Sequence, residues 1–182
     1  MKSREHIKPL PKMPQAITML GNLMATTRQL RDSGGFRTSS GVTGVYERAK
    51  LAAQQQFGDP AGVGGLLSTW AGQKSELISL YRQLGEKGNI AAKVLVPQLD
   101  ALTPATGFTA SARMLGYMKE QLLANVKESR VPGFKLPEIP DVIFTNDPRY
   151  VTARARGLTD QQLELPVSQG GMGFLVAPFM RQ

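Results

Sequence analysis

The chain has no cysteine and only one histidine among its 182 residues. The missing cysteine removes disulfides, thiolate nucleophiles and every zinc site built with cysteine. It also suits a protein that passes between compartments of different redox poise. The lone His6 lies in a basic, proline-interrupted stretch, where a rigid catalytic or metal-binding geometry is hard to maintain. Acidic side chains are scattered, and several sit beside a cation, as in Glu47-Arg48, Glu86-Lys87 and Lys119-Glu120. Such pairs suggest solvated helix surface rather than a catalytic carboxylate pair. Long apolar runs are missing too. Nothing approaches the roughly 20 apolar residues of a membrane-spanning helix. The basic start runs into Pro9, Pro11 and Pro14 where a secretory signal would have its apolar core. These absences point away from an enzyme, and neither a cofactor nor a metal is expected. There is no internal repeat.

What the chain does have is positive charge, unevenly placed. The formal charge is +8 with a pI near 10.0. Residues 1–37 hold seven Lys/Arg against two Asp/Glu, residues 38–130 ten against seven, and residues 131–182 five against five. The excess at the amino end marks Lys2, Arg4, Lys8 and Lys12 as candidate contacts for backbone phosphates of double-stranded DNA, or for another anionic surface. The alternative is a tail whose charge only keeps the chain in solution.

The spacing of apolar residues predicts a mainly α fold, with about five helices over 15–130 between extended arms at 1–14 and 131–182. Ile17, Leu20, Leu23, Met24 and Leu30 share one helical face, closed by Gly34-Gly35. A Ser/Thr/Gly-rich connector, Ser33 to Gly44, precedes a second expected helix around Val45–Phe57. Leu66, Leu67, Trp70, Leu77, Ile78, Tyr81 and Leu84 mark a third, which Gly72 is expected to divide. Ile90–Val96 follows, with Asn89 as N-cap and Pro97 as a kink or a new start. The last helix carries Met114, Leu115, Met118, Leu122 and Val126, capped by Thr109 or Ser111, and Pro132-Gly133 stops it. Beyond it six prolines argue against more compact helix. Short strands are expected at Asp141–Thr145 and Tyr150–Ala155, and Thr159 with Gln162 forms a capping box.

Four features bear on function. Gly62-Val63-Gly64-Gly65 precedes a helix but lacks the Lys-Ser/Thr pair of a phosphate loop, so it reads as a flexible turn. Trp70 and Tyr81 suit stacking on bases, yet their place among leucines favours core. The eight methionines fit either core filling or helix faces that repack against partners. The segment Gly170 to Met180 is almost uncharged and apolar. Phe174, Leu175, Val176, Phe179 and Met180 are candidates for docking on a partner's sheet edge or groove. Entry into a membrane as one strand of a multi-chain barrel is the alternative, although the required in/out alternation is missing.

Residues 38–130 carry a recognisable order of motifs. Ser39 to Gly44 opens it, followed by an Ala/Gln-rich helix and the turn Gly58 to Gly62. A Leu/Tyr helix then ends in Leu84-Gly85-Glu86-Lys87-Gly88, an Ala-rich helix leads into Leu99 to Pro104, and a Met/Leu/Lys helix closes it. This arrangement resembles the helical segment of internal virion, or DNA-ejection, proteins of short-tailed bacteriophages. It holds no diagnostic motif, so no functional residue carries over. The resemblance implies a homo-oligomer packaged in the virion with other virion proteins. It further implies release with or before the genome, and a ring or tube acting as a channel across the host cell envelope and its membrane. Two other classes fit the same residues. One is a head–tail adaptor, tail or capsid-associated structural protein; the other is a basic nucleic-acid-binding module.

Overall fold

A computed structural model describes residues 12–36, 62–86, 90–129, 135 and 137–180. It is mainly helical, with a two-stranded parallel sheet near the carboxyl end. The long helices are α1 (Lys12–Asp32), α2 (Val63–Glu86), α3 (Ile90–Asp100) and α4 (Phe108–Ser129). α1 lies against α2 and α4, and α3 packs on α2. Ile17, Leu20, Leu23, Met24 and Leu30 of α1 are all buried, as the three- and four-residue spacing requires. From α2 the core takes Leu67, Trp70, Leu77, Ile78, Tyr81 and Leu84.

Several local expectations are corrected. α1 begins at Lys12 and takes in Pro14, because a proline in the first helical turn gives up no intrahelical bond. Gly72 does not divide α2. It is exposed with open space around it, and one glycine costs only about 1 kcal/mol against the burial on the opposite face. Gly64 and Gly65 belong to the first turn of α2, where the Leu66 amide already donates to the Gly62 carbonyl. Of the two alternatives for Pro97, the new start is excluded, since Pro97 lies inside a single helix, α3. Neither Thr109 nor Ser111 caps α4, which starts at Phe108 directly after Gly107, a glycine at φ +95°. The expected helix at Val45–Phe57 and the cap at Asn89 lie outside the described residues.

The largest correction concerns the carboxyl-terminal segment, expected as an extended arm. Residues 137–180 instead fold back on the bundle. Strand β1 (Asp141–Phe144) leads into α5 (Pro148–Ala155) and α6 (Asp160–Glu164), and the chain returns as β2 (Phe174–Ala177), parallel to β1. Parallel strands need a crossover connection, and the two short helices supply it. Tyr150–Ala155 is thus helix, not strand. Asp147 is its N-cap, accepting from the Arg149 amide at 2.8 Å, and Pro148 occupies the first helical position. The Thr159–Gln162 capping box is present at the start of α6. The sheet is covered on both faces. Leu175 and Ala177 join the main core with Ile139, while Ile143, Phe174 and Val176 form a second cluster with Ala153 and Leu163.

The turn back into β2 depends on Gly171. A Cβ there would fall onto the carbonyl oxygen and side chain of Leu165, well inside van der Waals contact. The Gly173 amide also donates to that carbonyl at 2.8 Å, so Leu165 has no room to retreat. We expect Gly171→Ala to cost about 2 kcal/mol through overpacking, seen as a lower denaturant midpoint than the wild type.

Candidate interaction site: a clamped strand beside a cleft

β2 bonds to β1 on one edge only, through pairs such as Asp141 N–H to Gly173 O and Thr145 N–H to Ala177 O, both 3.1 Å. Val176 is one residue out of phase and presents its N–H and C=O to the other edge. Among the described residues no third strand lies there. Two side chains take its place: Glu164 accepts from Val176 N at 3.0 Å, and Arg31 Nη1 donates to Val176 O at 3.0 Å. Glu164 and Arg31 also pair with each other in a fork, Nη2 to Oε2 at 2.7 Å and Nη1 to Oε1. The ion pair thus reproduces the donor and acceptor of a neighbouring strand and closes an edge that would otherwise be open to pairing.

Both elements of the clamp are placed by the fold. Arg31 stands in the last turn of α1, where the helix dipole favours a cation, and its guanidinium lies 5.2 Å from the Phe108 ring centroid. Glu164 ends α6. Their side chains are only 24% and 10% exposed, so the pair works in a partly desolvated setting. The hydrogen bond with Glu164 raises the pKa of Arg31 further, against the opposing effect of burial. Arg28, one turn earlier, donates to the Glu164 carbonyl at 3.1 Å.

Beside this clamp runs a cleft of about 390 Å³ between α1 and residues 137–140. Met24, Ala25, Ile139 and Leu175 supply apolar wall, and Arg28 and Glu138 add charge. Glu138 accepts from the Val167 amide at 2.6 Å and pairs with no cation among the described residues. At the far end of β2 the chain is tied to the body through backbone groups. Thr109 Oγ1 donates to Pro178 O at 3.5 Å and the Phe179 amide to Thr145 Oγ1 at 2.9 Å, while the side chains beyond stay uncovered. Phe179 is 43% exposed and Met180 63%.

The candidate residues therefore separate. Phe174, Leu175 and Val176, expected to dock on a partner or a membrane, are corrected to interior positions of this chain's own sheet. An apolar run without alternation is what a parallel strand buried on both faces requires. Phe179 and Met180 remain surface. Lys12 is half-buried in the first turn of α1, and Lys2, Arg4 and Lys8 lie outside the described residues. Trp70 and Tyr81 are 1% and 2% exposed, which makes them core rather than a stacking platform for bases. Burial also raises the pKa of the Tyr81 hydroxyl, which has no hydrogen-bond partner among the described residues. Nothing local in the sequence signals the clamp, since Arg31 and Glu164 stand 133 residues apart. Among the described residues there is no group of three or more His, Asp or Glu able to hold a metal, and no helix is long and apolar enough to cross a membrane. No protein-family model, curated protein or solved structure matches the chain.

Proposed function

We propose that this chain is a structural protein of a bacteriophage virion, an ejection protein that oligomerises into a ring or tube and helps carry the genome across the host cell envelope. The observation that carries the assembly part of this reading is the uncovered Phe179-Met180 pair, held out from a strand that is itself clamped in place. An apolar end kept in water at the tip of an ordered element suits burial by another subunit. The amino-terminal charge supports contact with the packaged DNA through phosphates, and the motif order of residues 38–130 supports the viral assignment.

The locked β2 edge favours a second reading, a head–tail adaptor, tail or capsid-associated protein that stays in the particle as a permanent joint. Comparing the proteins of intact particles with those of particles emptied of DNA separates the two, because an ejection protein is lost with the genome. Light scattering of the purified chain tests assembly itself. The expected result is mass that rises with concentration or on adding lipid or detergent; a compact monomer under all these conditions overturns self-assembly. DNA binding should weaken as salt rises, with a log–log slope no steeper than about −3.6 if Lys2, Arg4, Lys8 and Lys12 each neutralise one phosphate. Deleting residues 1–12 should abolish that binding, and unchanged binding removes the amino arm from the mechanism.

A further inference from the structure

The cleft and the tail belong to the same molecule but cannot meet within it. Leu175 lines the cleft, whereas Phe179 lies four residues further along an extended chain, about 13 Å away at the usual strand rise. The bonds from Thr109 to Pro178 O and from Phe179 N to Thr145 hold the tail at that distance, beside the start of α4. One copy therefore presents an apolar projection at one end of β2 and an apolar recess at the other.

We propose that the Phe179-Met180 tail of one copy seats in the cleft between α1 and residues 137–140 of a second copy. This inference rests on the assembly reading above and names the contact through which assembly proceeds. Size supports it, since a recess of about 390 Å³ falls in the range that encloses a ligand larger than one side chain. Charge supports it as well. Arg181 follows Met180 in the sequence, and Glu138 offers a carboxylate on the cleft with no cation paired to it among the described residues. Recess and projection lie on different parts of the surface, so the contact is head-to-tail. Where the contact is not reciprocal, its repetition gives a closed ring or an open helix; where two copies exchange both tails, it closes as a two-fold dimer.

The test uses the full chain and two variants at exposed positions. Phe179→Glu combined with Met180→Glu removes the projection, and Ala25→Trp fills the recess. Each variant alone should associate at least tenfold more weakly than the wild type in sedimentation velocity, with unchanged far-UV circular dichroism. Mixed together, the two should form a one-to-one dimer and stop, because the mixture contains one intact recess and one intact projection. An excess of a peptide of residues 177–182 should dissociate the wild-type assembly, a measurement that needs no variant to fold. If the wild type associates and both variants associate equally well, this contact is wrong while assembly stands. If the mixture gives no dimer and the peptide no dissociation, the contact is likewise wrong. A wild type that stays monomeric overturns the assembly reading and this contact together.

Discussion

Trp70→Ala is expected to lose about 4 kcal/mol of stability. Trp70 is 1% exposed and makes three kinds of contact at once. Its ring meets Phe36 edge-on, with centroids 6.3 Å apart at 89°, and Phe36 in turn meets Phe108 at 5.8 Å. The Lys74 ammonium sits 5.6 Å from the ring centroid. The indole N–H donates to Thr27 Oγ1 at 2.9 Å, and that hydroxyl donates onward to the Leu23 carbonyl at 2.6 Å. Truncation opens a cavity between α1 and α2, and Phe36 loses the ring it meets edge-on. Trp70→Phe separates packing from polarity. The hydroxyl of Thr27 keeps its bond to Leu23, so no buried donor is orphaned, and the cost falls to about 1–2 kcal/mol. Urea unfolding followed by far-UV circular dichroism measures both, since Trp70 is the only tryptophan and fluorescence is lost with it. If Trp70→Ala unfolds within 1 kcal/mol of the wild type, Trp70 does not sit at the centre of the α1–α2 contact.

The helical part of this architecture is legible in the sequence because its signal is local. Leu67, Trp70, Leu77, Ile78, Tyr81 and Leu84 recur at helical steps, and all are buried. Gly72 does not divide its helix because one residue's intrinsic preference is weaker than the burial the helix gains as a whole. The crossover unit is different in kind. Its strands are four residues each, and Asp141 pairs with Phe174, 33 positions later, so no window of sequence contains the pairing. Phe174-Leu175-Val176-Ala177 lacks alternation, and the same run suits a docking tail or a strand covered on both faces. One start signal is local: Asn146-Asp147-Pro148 places a capping carboxylate before a proline at the first helical position, which argues for helix after it. For the clamp, the Thr159–Gln162 capping box locates α6 and hence Glu164, but its partner on α1 follows only from the fold.

Glu164→Ala is expected to release β2 from α1 while leaving the helices in place. The carboxylate both neutralises Arg31 and accepts the Val176 amide, so its loss leaves a partly buried guanidinium with only Asp32 and the Val176 carbonyl as partners, and an edge N–H with none. We expect a local cost of about 2–3 kcal/mol, at the lower end for broken buried pairs because Arg31 keeps some solvent and its bond to Val176 O. At about 1.4 kcal/mol per decade this corresponds to roughly 30- to 140-fold faster amide exchange in β2, with α2 protected as before. The double variant Arg31→Met with Glu164→Leu distinguishes a strand surrogate from an ordinary ion pair. Replacing an ordinary buried pair with apolar side chains is often neutral. Here the replacement still leaves the Val176 N–H and C=O without their partners, so the double variant should remain about 2 kcal/mol less protected than the wild type. Full recovery of protection in the double variant would show that the clamp contributes only its charges. Because β2 also fixes where Pro178 and Phe179 are tied to the body, releasing it frees the tail from its position at the start of α4. Glu164→Ala should therefore weaken self-association even though Phe179, Met180 and the apolar wall at Met24 and Ala25 are untouched, and undiminished association would uncouple the clamp from assembly.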